Sequence, residues 1–307
     1  MNAKFLGQFP FYEVWYGKLN ISPQKAFWFR YTTLHGKTKE SALWAIFFNG
    51  SRITARKKTF SLNEARCESY IHLPLGQLTQ ESCEGDLGAI LWQLTYQDRQ
   101  GSFDPVPTIF KKLHLAKSLV CTPFIDLRFS GKIIVEAMTH DLHEVPGMIG
   151  HVWGKKQALC WSWAHCNQFK EKNVVFEGLS AKIPLLGWAS PPLTSLYLKV
   201  SDQEYIFNGV IDLLKTHSTF GYGLWEFCSK NKDVILSGRI QSRPEHVAVI
   251  TYTDTDDSEL YCHNSKLAKC ELTLQIRQTG QEKRFISESS AALEWVTRDS
   301  FKGKKYL

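Results

Sequence analysis

Short hydrophobic runs recur along the whole chain, and turn-forming pairs such as Asn49-Gly50 and Ser130-Gly131 separate them. Closely spaced strands of this kind are typical of antiparallel sandwiches and barrels. Long helical segments, which parallel βαβ units need, are missing from the pattern. We therefore predict an all-β protein. The predicted strands are residues 12–16, 27–32, 43–48, 90–96, 132–138, 161–166, 172–179, 195–200, 205–208, 224–228, 234–240, 246–253, 272–277 and 283–287.

Helical signals are confined to two places. Ser61-Leu62-Asn63-Glu64 matches a capping box, in which the first and last side chains satisfy each other's backbone N–H groups. Residues 210–216 could form a second short helix. Both would be minor additions to the sheets.

The number of predicted strands exceeds that of one small barrel, so we predict two packed antiparallel barrels in tandem. Residues 182–193 (KIPLLGWASPPL) contain three prolines, which cannot continue a central strand. This stretch is the predicted junction. It would divide the chain into residues 1–185 and 186–307.

The segment WSWAHCN at residues 161–167 has a marked two-residue periodicity. Successive side chains of a strand point to opposite faces. Trp161, Trp163, His165 and Asn167 would therefore share one face, and small side chains would occupy the other. The large face could fill a core or line a cavity.

Composition changes this interpretation little. Ten Trp, eleven Tyr and nineteen Phe favour sheets. The eight cysteines form no C-x-x-C pair, so we predict reduced thiols and no metal site. No apolar run reaches the length of a membrane span, and the first residues do not resemble a secretory signal. These features predict a cytoplasmic protein.

The net charge of +7 is modest and mostly scattered. Two basic clusters occur, at residues 52–58 and 298–305. No basic stripe or recognisable module predicts nucleic-acid binding. The clusters are interpreted as solvated surface, with weak attraction to an anionic membrane as the alternative.

Glu13 stands among aromatic residues in FYEVWY, where an unpaired carboxylate would be costly. One interpretation pairs it with Arg30 on the next strand, which would set the register. The other gives it a raised pKa and the ability to donate a proton in an apolar pocket. The sequence leaves both open.

His151, Trp153, Trp161, Trp163, His165 and Asn167 crowd into 17 residues. Such side chains are often packed core. Alternatively, imidazoles beside indoles would make a cavity with proton donors and cation-attracting π faces.

Three stretches together carry a family resemblance: FYEVWYGKLN with AFWFRYTTL, IDLRFSGKIIVE, and GMIGHVWGKKQALCWSWAHCNQF. The chain resembles the carotenoid hydratase/AttH-like family, which is related to tocopherol cyclases. The pattern G-H-x-W-G followed by W-x-W-x-H-x-N is its most specific part. The resemblance implies two lipocalin-like barrels and an apolar, isoprenoid-type substrate that is hydrated or cyclised without a cofactor.

By position, the resemblance implies catalytic roles for Glu13, His151 and His165. It also implies the wall of a lipid-binding barrel, without indicating which of the two barrels holds the ligand. Many relatives have Asn where this chain has Val152, between the His and the Trp. A non-catalytic lipid carrier or sensor of the same fold is the alternative, and a packed structural core is a third hypothesis. The predicted wall residues are Trp15, Arg30, Trp153, Trp161, Trp163 and Asn167.

Overall fold

A computed structural model describes residues 2–113, 116–185, 188–299 and 306–307 of the chain. Its first sheet contains ten strands: β1 (Phe11–Ser22), β2 (Lys25–His35), β3 (Lys39–Asn49), β4 (Arg52–Ser61), β5 (Ile71–Leu73), β6 (Gly76–Leu78), β7 (Ser82–Asp86), β8 (Ile90–Gln100), β9 (Ser118–Val135) and β10 (Met138–Gly154). The strands of the second half are β11 (Cys160–Cys166), β12 (Val174–Lys182), β13 (Pro184–Leu185), β14 (Trp188–Ala189), β15 (Leu193–Val200), β16 (Gln203–Phe207), β17 (His217–Gly221), β18 (Leu224–Lys230), β19 (Val234–Gln241), β20 (Ala248–Thr253), β21 (Glu259–Ile276) and β22 (Glu282–Thr297).

Helix is scarce in the described ranges. It comprises α1 (Thr108–Lys112), α2 (Val210–Lys215) and the 3₁₀ turns Leu62–Glu64 and Pro244–His246. The predicted capping box is present at the first turn, where the Ser61 N–H donates to Glu64 Oε2 at 2.8 Å. None of these helices is both long and apolar enough to cross a membrane.

The two sheets share one topology. In the first, β1 to β4 follow one another outward and the last strand, β10, pairs with β1. In the second, β11, β12, β15 and β16 follow one another outward and the last strand, β22, pairs with β11. The first sheet is a nearly closed barrel and the second a half-barrel, so the all-β, lipocalin-like prediction is confirmed.

Burial explains why the strand patterns differ. β8 alternates buried and exposed positions, as a strand with one solvated face does. Phe11 to Asn20 of β1 are buried without interruption, because one face lines the first barrel and the other meets the second sheet. We call the region where the two sheets contact each other the intersheet layer. It contains Trp28 and Trp44 from the first sheet and Tyr252 and Cys262 from the second.

The interior of the first barrel is filled by aromatic and aliphatic side chains. Trp15 and Trp92 are among the largest, and both are almost fully buried. Gly150, beside the site described below, leaves no room for a side chain. A Cβ there would lie 2.3 Å from the ring of Tyr16 on the paired strand.

The sheets change at residues 155–159, between β10 and β11, rather than near residue 185. The hairpin of β11 and β12 belongs to the second sheet because β11 pairs with β22 and β12 with β15. The predicted ranges 1–185 and 186–307 therefore do not coincide with the two sheets. Within the proline-rich stretch, β13 instead pairs with β14 as a separate two-stranded sheet.

Candidate active site

Glu13 lies at one end of the first barrel, on the inward face of β1, and is 1% exposed. Four N–H groups donate to its carboxylate. The backbone N–H groups of Lys4 and Phe5 donate at 2.8 and 2.7 Å, and the Trp15 indole donates at 3.2 Å. The fourth donor is Nε2 of His151, at 2.7 Å. Both carboxylate oxygens thus accept hydrogen bonds, which hold the donor groups in place.

His151 is fully buried on β10, opposite Trp15 in the β1 register. Its ring stacks on Trp15 with centroids 3.7 Å apart and also contacts Trp153 at 4.5 Å. Burial lowers the pKa of His151, against the opposing effect of Glu13. Its Nδ1 atom has no hydrogen-bond partner among the described residues. Burial thus favours the neutral ring, in which Nε2 donates to Glu13 and Nδ1 is left without a hydrogen-bond partner among the described residues.

The segment before β1 covers this end of the barrel. The Ala3 N–H donates to the Ser69 carbonyl at 2.9 Å, and the Lys4 ammonium lies 5.6 Å from the Trp153 ring. Trp153 is only partly buried. Its ring therefore links the fully buried His151 ring, which it contacts, to a partly exposed position.

The predicted Glu13–Arg30 pair is wrong. Glu13 lies opposite Thr33 in the register of β1 and β2, whereas Arg30 lies opposite Tyr16. Adjacent positions of a pleated strand face opposite sides. Arg30 consequently lies in the intersheet layer, with its guanidinium 3.7 Å from the centre of the Tyr252 ring.

The aromatic face of β11 also lies in the intersheet layer rather than in the first barrel. His165 Nε2 donates to the Ile125 carbonyl at 2.7 Å, and Asn167 Nδ2 donates to Asp126 Oδ1 at 2.7 Å. Trp161 and Trp163 pack in the same layer. The opposite face, with Ala164 and Cys166, contributes to the core of the second sheet.

The predicted site residues therefore form two groups. Glu13, Trp15, His151 and Trp153 come together at the end of the first barrel. The second group, in the intersheet layer, contains Arg30, Trp161, Trp163, His165 and Asn167.

Sequence reasoning missed Glu177 on β12, which is 2% exposed. Its Oε1 accepts hydrogen bonds from Thr122 Oγ1 at 2.6 Å and Trp163 Nε1 at 2.8 Å. Its Oε2 has no partner among the described residues. Burial raises the pKa of Glu177 to about 7, although both hydrogen bonds oppose the rise. A single Glu in the apolar run VVFEGL was the available signal, as it was for Glu13.

Two lysines are buried in the same layer. Lys18 donates to Asn20 Oδ1 at 2.9 Å, and burial lowers the pKa of Lys18 to about 8. Lys266 is also fully buried and pairs with Glu294 at 2.8 Å. The intersheet layer is therefore a polar seam within an aromatic interface. Within the described ranges, no group of three or more His, Cys, Asp or Glu side chains could hold a metal ion.

Comparisons with known proteins agree with this architecture. The family model described as tocopherol cyclase-like matches residues 126–295, which is more than half of the chain. An uncharacterized protein of Mycobacterium tuberculosis strain H37Rv is 21% identical over 194 residues, which is 62% of this chain. The chain spans 57% of the length of that relative.

Solved structures with very different sequences share the fold. An AttH-like protein from Nitrosomonas europaea has a TM-score of 0.58 at 10% identity, covering 96% of this chain and 97% of that one. Kievitone hydratase from Nectria haematococca has a TM-score of 0.57 at 9% identity, covering 94% of this chain and 90% of the hydratase. CghA, solved with Sch210972, has a TM-score of 0.60 at 9% identity, covering 94% and 88%. The matched residues and the shared fold together show that the chain belongs to the tocopherol cyclase-like family.

Proposed function

We propose that the chain is a cofactor-independent hydratase or cyclase that protonates a carbon–carbon double bond in an apolar, isoprenoid-type substrate. The observation that carries the proposal is His151, which is buried between indole rings with Nε2 held by Glu13 and Nδ1 bare. Hydratase-like and cyclase-like neighbours support the reaction class.

The proposed chemistry needs one proton-carrying group. Protonated His151 donates its Nδ1 proton to one alkene carbon, and the π electrons form the new C–H bond and leave a cation on the other carbon. In hydration, water adds to that carbon and returns a proton to Nδ1. In cyclisation, a second double bond attacks the cation, and loss of a proton to Nδ1 completes the ring. Either sequence regenerates the imidazolium.

The surroundings of His151 suit a cationic intermediate. Indole faces attract cations, and Trp15 and Trp153 both contact the imidazole ring. Glu13 stabilises the imidazolium and fixes the ring orientation, which makes it a positioning residue. Trp163 and His165 lie in the intersheet layer, so the proposal assigns stabilisation of the cation to Trp15 and handling of the water to His151.

We expect His151→Gln to lower turnover by about a thousandfold, in line with the loss of a general acid–base group, and to leave ligand binding unchanged. The ligand would be identified by mass spectrometry of organic extracts of the purified protein. Turnover would then be followed in heavy-oxygen water, which labels a hydration product. Because His151 must be protonated to act and burial lowers its pKa, the rate should increase as the pH falls.

His143→Gln is the matched control, because His143 lies on the same strand with its side chain 89% exposed. It should retain full turnover. A His151→Gln variant as active as the wild type would refute the assignment. If every form of the protein binds the extracted ligand tightly and none converts it chemically, the protein would be a carrier instead.

A further inference from the structure

Three short elements expose large apolar side chains to solvent. These are α1 and the residue after it, the hairpin of β13 and β14, and α2. Trp188 is 80% exposed and Ile211 is 67% exposed. We call this set the Trp188 face, and its members are Ile109, Leu113, Leu185, Trp188, Ile211 and Leu214.

The three elements meet at the first half of β15. The loop before α1 is held there, because Ser195 Oγ donates to the Pro105 carbonyl at 2.6 Å and Asn208 Nδ2 donates to the Asp104 carbonyl at 2.9 Å. The small hairpin directly precedes β15 in the chain, and α2 packs against β15. The apolar side chains therefore project from one end of the second sheet.

The orientation of α2 is unusual for a surface helix. Leu213 is 5% exposed and points into the protein, while Ile211 and Leu214 point outward at 67% and 63% exposure. Surface helices normally place polar residues on the outer face. Large apolar side chains exposed on neighbouring elements in this way indicate an interaction site.

Charge indicates what this face contacts. Residues 104–117, 182–193 and 209–217 contain five lysines and two carboxylates, Asp104 and Asp212. Asp104 already pairs with Lys111, and Asp212 accepts a hydrogen bond from the Gly209 N–H at the start of α2. The remaining lysines include Lys112 and Lys215, which are exposed and directly adjoin Leu113 and Leu214 in the chain, so the three segments carry an excess of positive charge.

We propose that the Trp188 face docks the protein on an anionic lipid membrane. Apolar side chains on separate projecting elements suit insertion at the headgroup boundary, where indole rings are favoured, and the lysines match anionic headgroups. The docking is separate from the chemistry at His151, although it would bring the protein to the phase in which an isoprenoid substrate dissolves.

Flotation with lipid vesicles tests this proposal. Wild-type protein should bind vesicles that contain phosphatidylcholine and phosphatidylglycerol in a ratio of about two to one. It should bind vesicles of phosphatidylcholine alone much more weakly. The double variant Trp188→Ser/Ile211→Ser should bind the anionic vesicles about tenfold more weakly. Lys112→Gln/Lys215→Gln should weaken binding to them and reduce its dependence on salt.

Met138→Ser is the matched control, because Met138 is 61% exposed at the turn between β9 and β10. It should bind like the wild type, and thermal melting would establish that each variant is folded. His151→Gln should also bind normally, which separates this proposal from the catalytic one. Equal binding by the Trp188→Ser/Ile211→Ser variant, or equal binding of the wild type to neutral vesicles, would overturn it. The proposal would also be overturned if the wild type formed a dimer, bound no vesicles, and lost the dimer in the double variant. The face would then join two copies of the chain.

Discussion

Glu177→Gln should raise the free energy of unfolding by about 3 kcal/mol above pH 8 and have little effect near pH 4. The pKa of this carboxyl is raised from 4.5 to about 7 by burial, and each unit of pKa corresponds to about 1.4 kcal/mol. Gln keeps the oxygen that Thr122 and Trp163 bond but cannot ionise.

The sign follows from proton linkage. Between pH 4.5 and about 7, the folded protein holds a proton on Glu177 that the unfolded chain has lost. Stability therefore falls as the pH rises through this window, and the full cost of a buried charge is present above it. The Gln variant has no such proton to lose, so its stability should change less with pH in that window.

Urea denaturation at a series of pH values measures this difference. Glu68→Gln serves as the control, because Glu68 is exposed and the same chemical change there should leave the curve unaltered. Parallel wild-type and Glu177→Gln curves between pH 5 and 8 would contradict the expectation, since they would mean that Glu177 ionises in the fold as readily as in the unfolded chain.

Glu13→Ala should lower the free energy of unfolding by about 3–5 kcal/mol, as expected when one partner of a buried charged cluster is removed. Four N–H donors would lose their acceptor together: those of Lys4, Phe5, Trp15 and His151. The segment before β1 should then open more often. Hydrogen exchange at the Lys4 and Phe5 amides should therefore become faster.

Glu13→Gln is the matched comparison, because its amide oxygen can still accept hydrogen bonds from part of the cluster. Its loss of stability should be clearly smaller than that of Glu13→Ala. Slow, unchanged exchange at Lys4 and Phe5 in Glu13→Ala would show that other contacts hold the segment. The structural role of Glu13 would then need revision.

Glu13 and Glu177 illustrate different uses of the same buried residue type. Glu13 is surrounded by donors on both oxygens, so it orients its neighbours. Glu177 has one satisfied oxygen and one without a partner among the described residues, and its raised pKa leaves it partly protonated near neutral pH. Both stand as single charges within apolar runs, so the local sequence does not distinguish them.

Local patterning determined the class of the fold. The alternation of Trp163 and His165 with Ala164 and Cys166 correctly separated a large face from a small one, because alternation is a property of a single strand. Short hydrophobic runs predicted most of the strands. Other local signals predicted the capping box at Ser61 and the short helix α2. The long strands β9, β21 and β22 extend beyond the predicted runs, and β10 was missed apart from Met138, because ladder pairing continues through polar and glycine positions.

Only the tertiary structure decided which faces meet. Glu13 and His151 are 138 positions apart and touch because β1 pairs with β10. The register of β1 with β2 sends Arg30 to the face opposite Glu13 and therefore breaks the predicted ion pair. Likewise, the pairing of β11 with β22 assigns the aromatic face of β11 to the intersheet layer. Register and sheet membership depend on contacts between distant strands, whereas the residue pattern of one strand records only that its two faces differ.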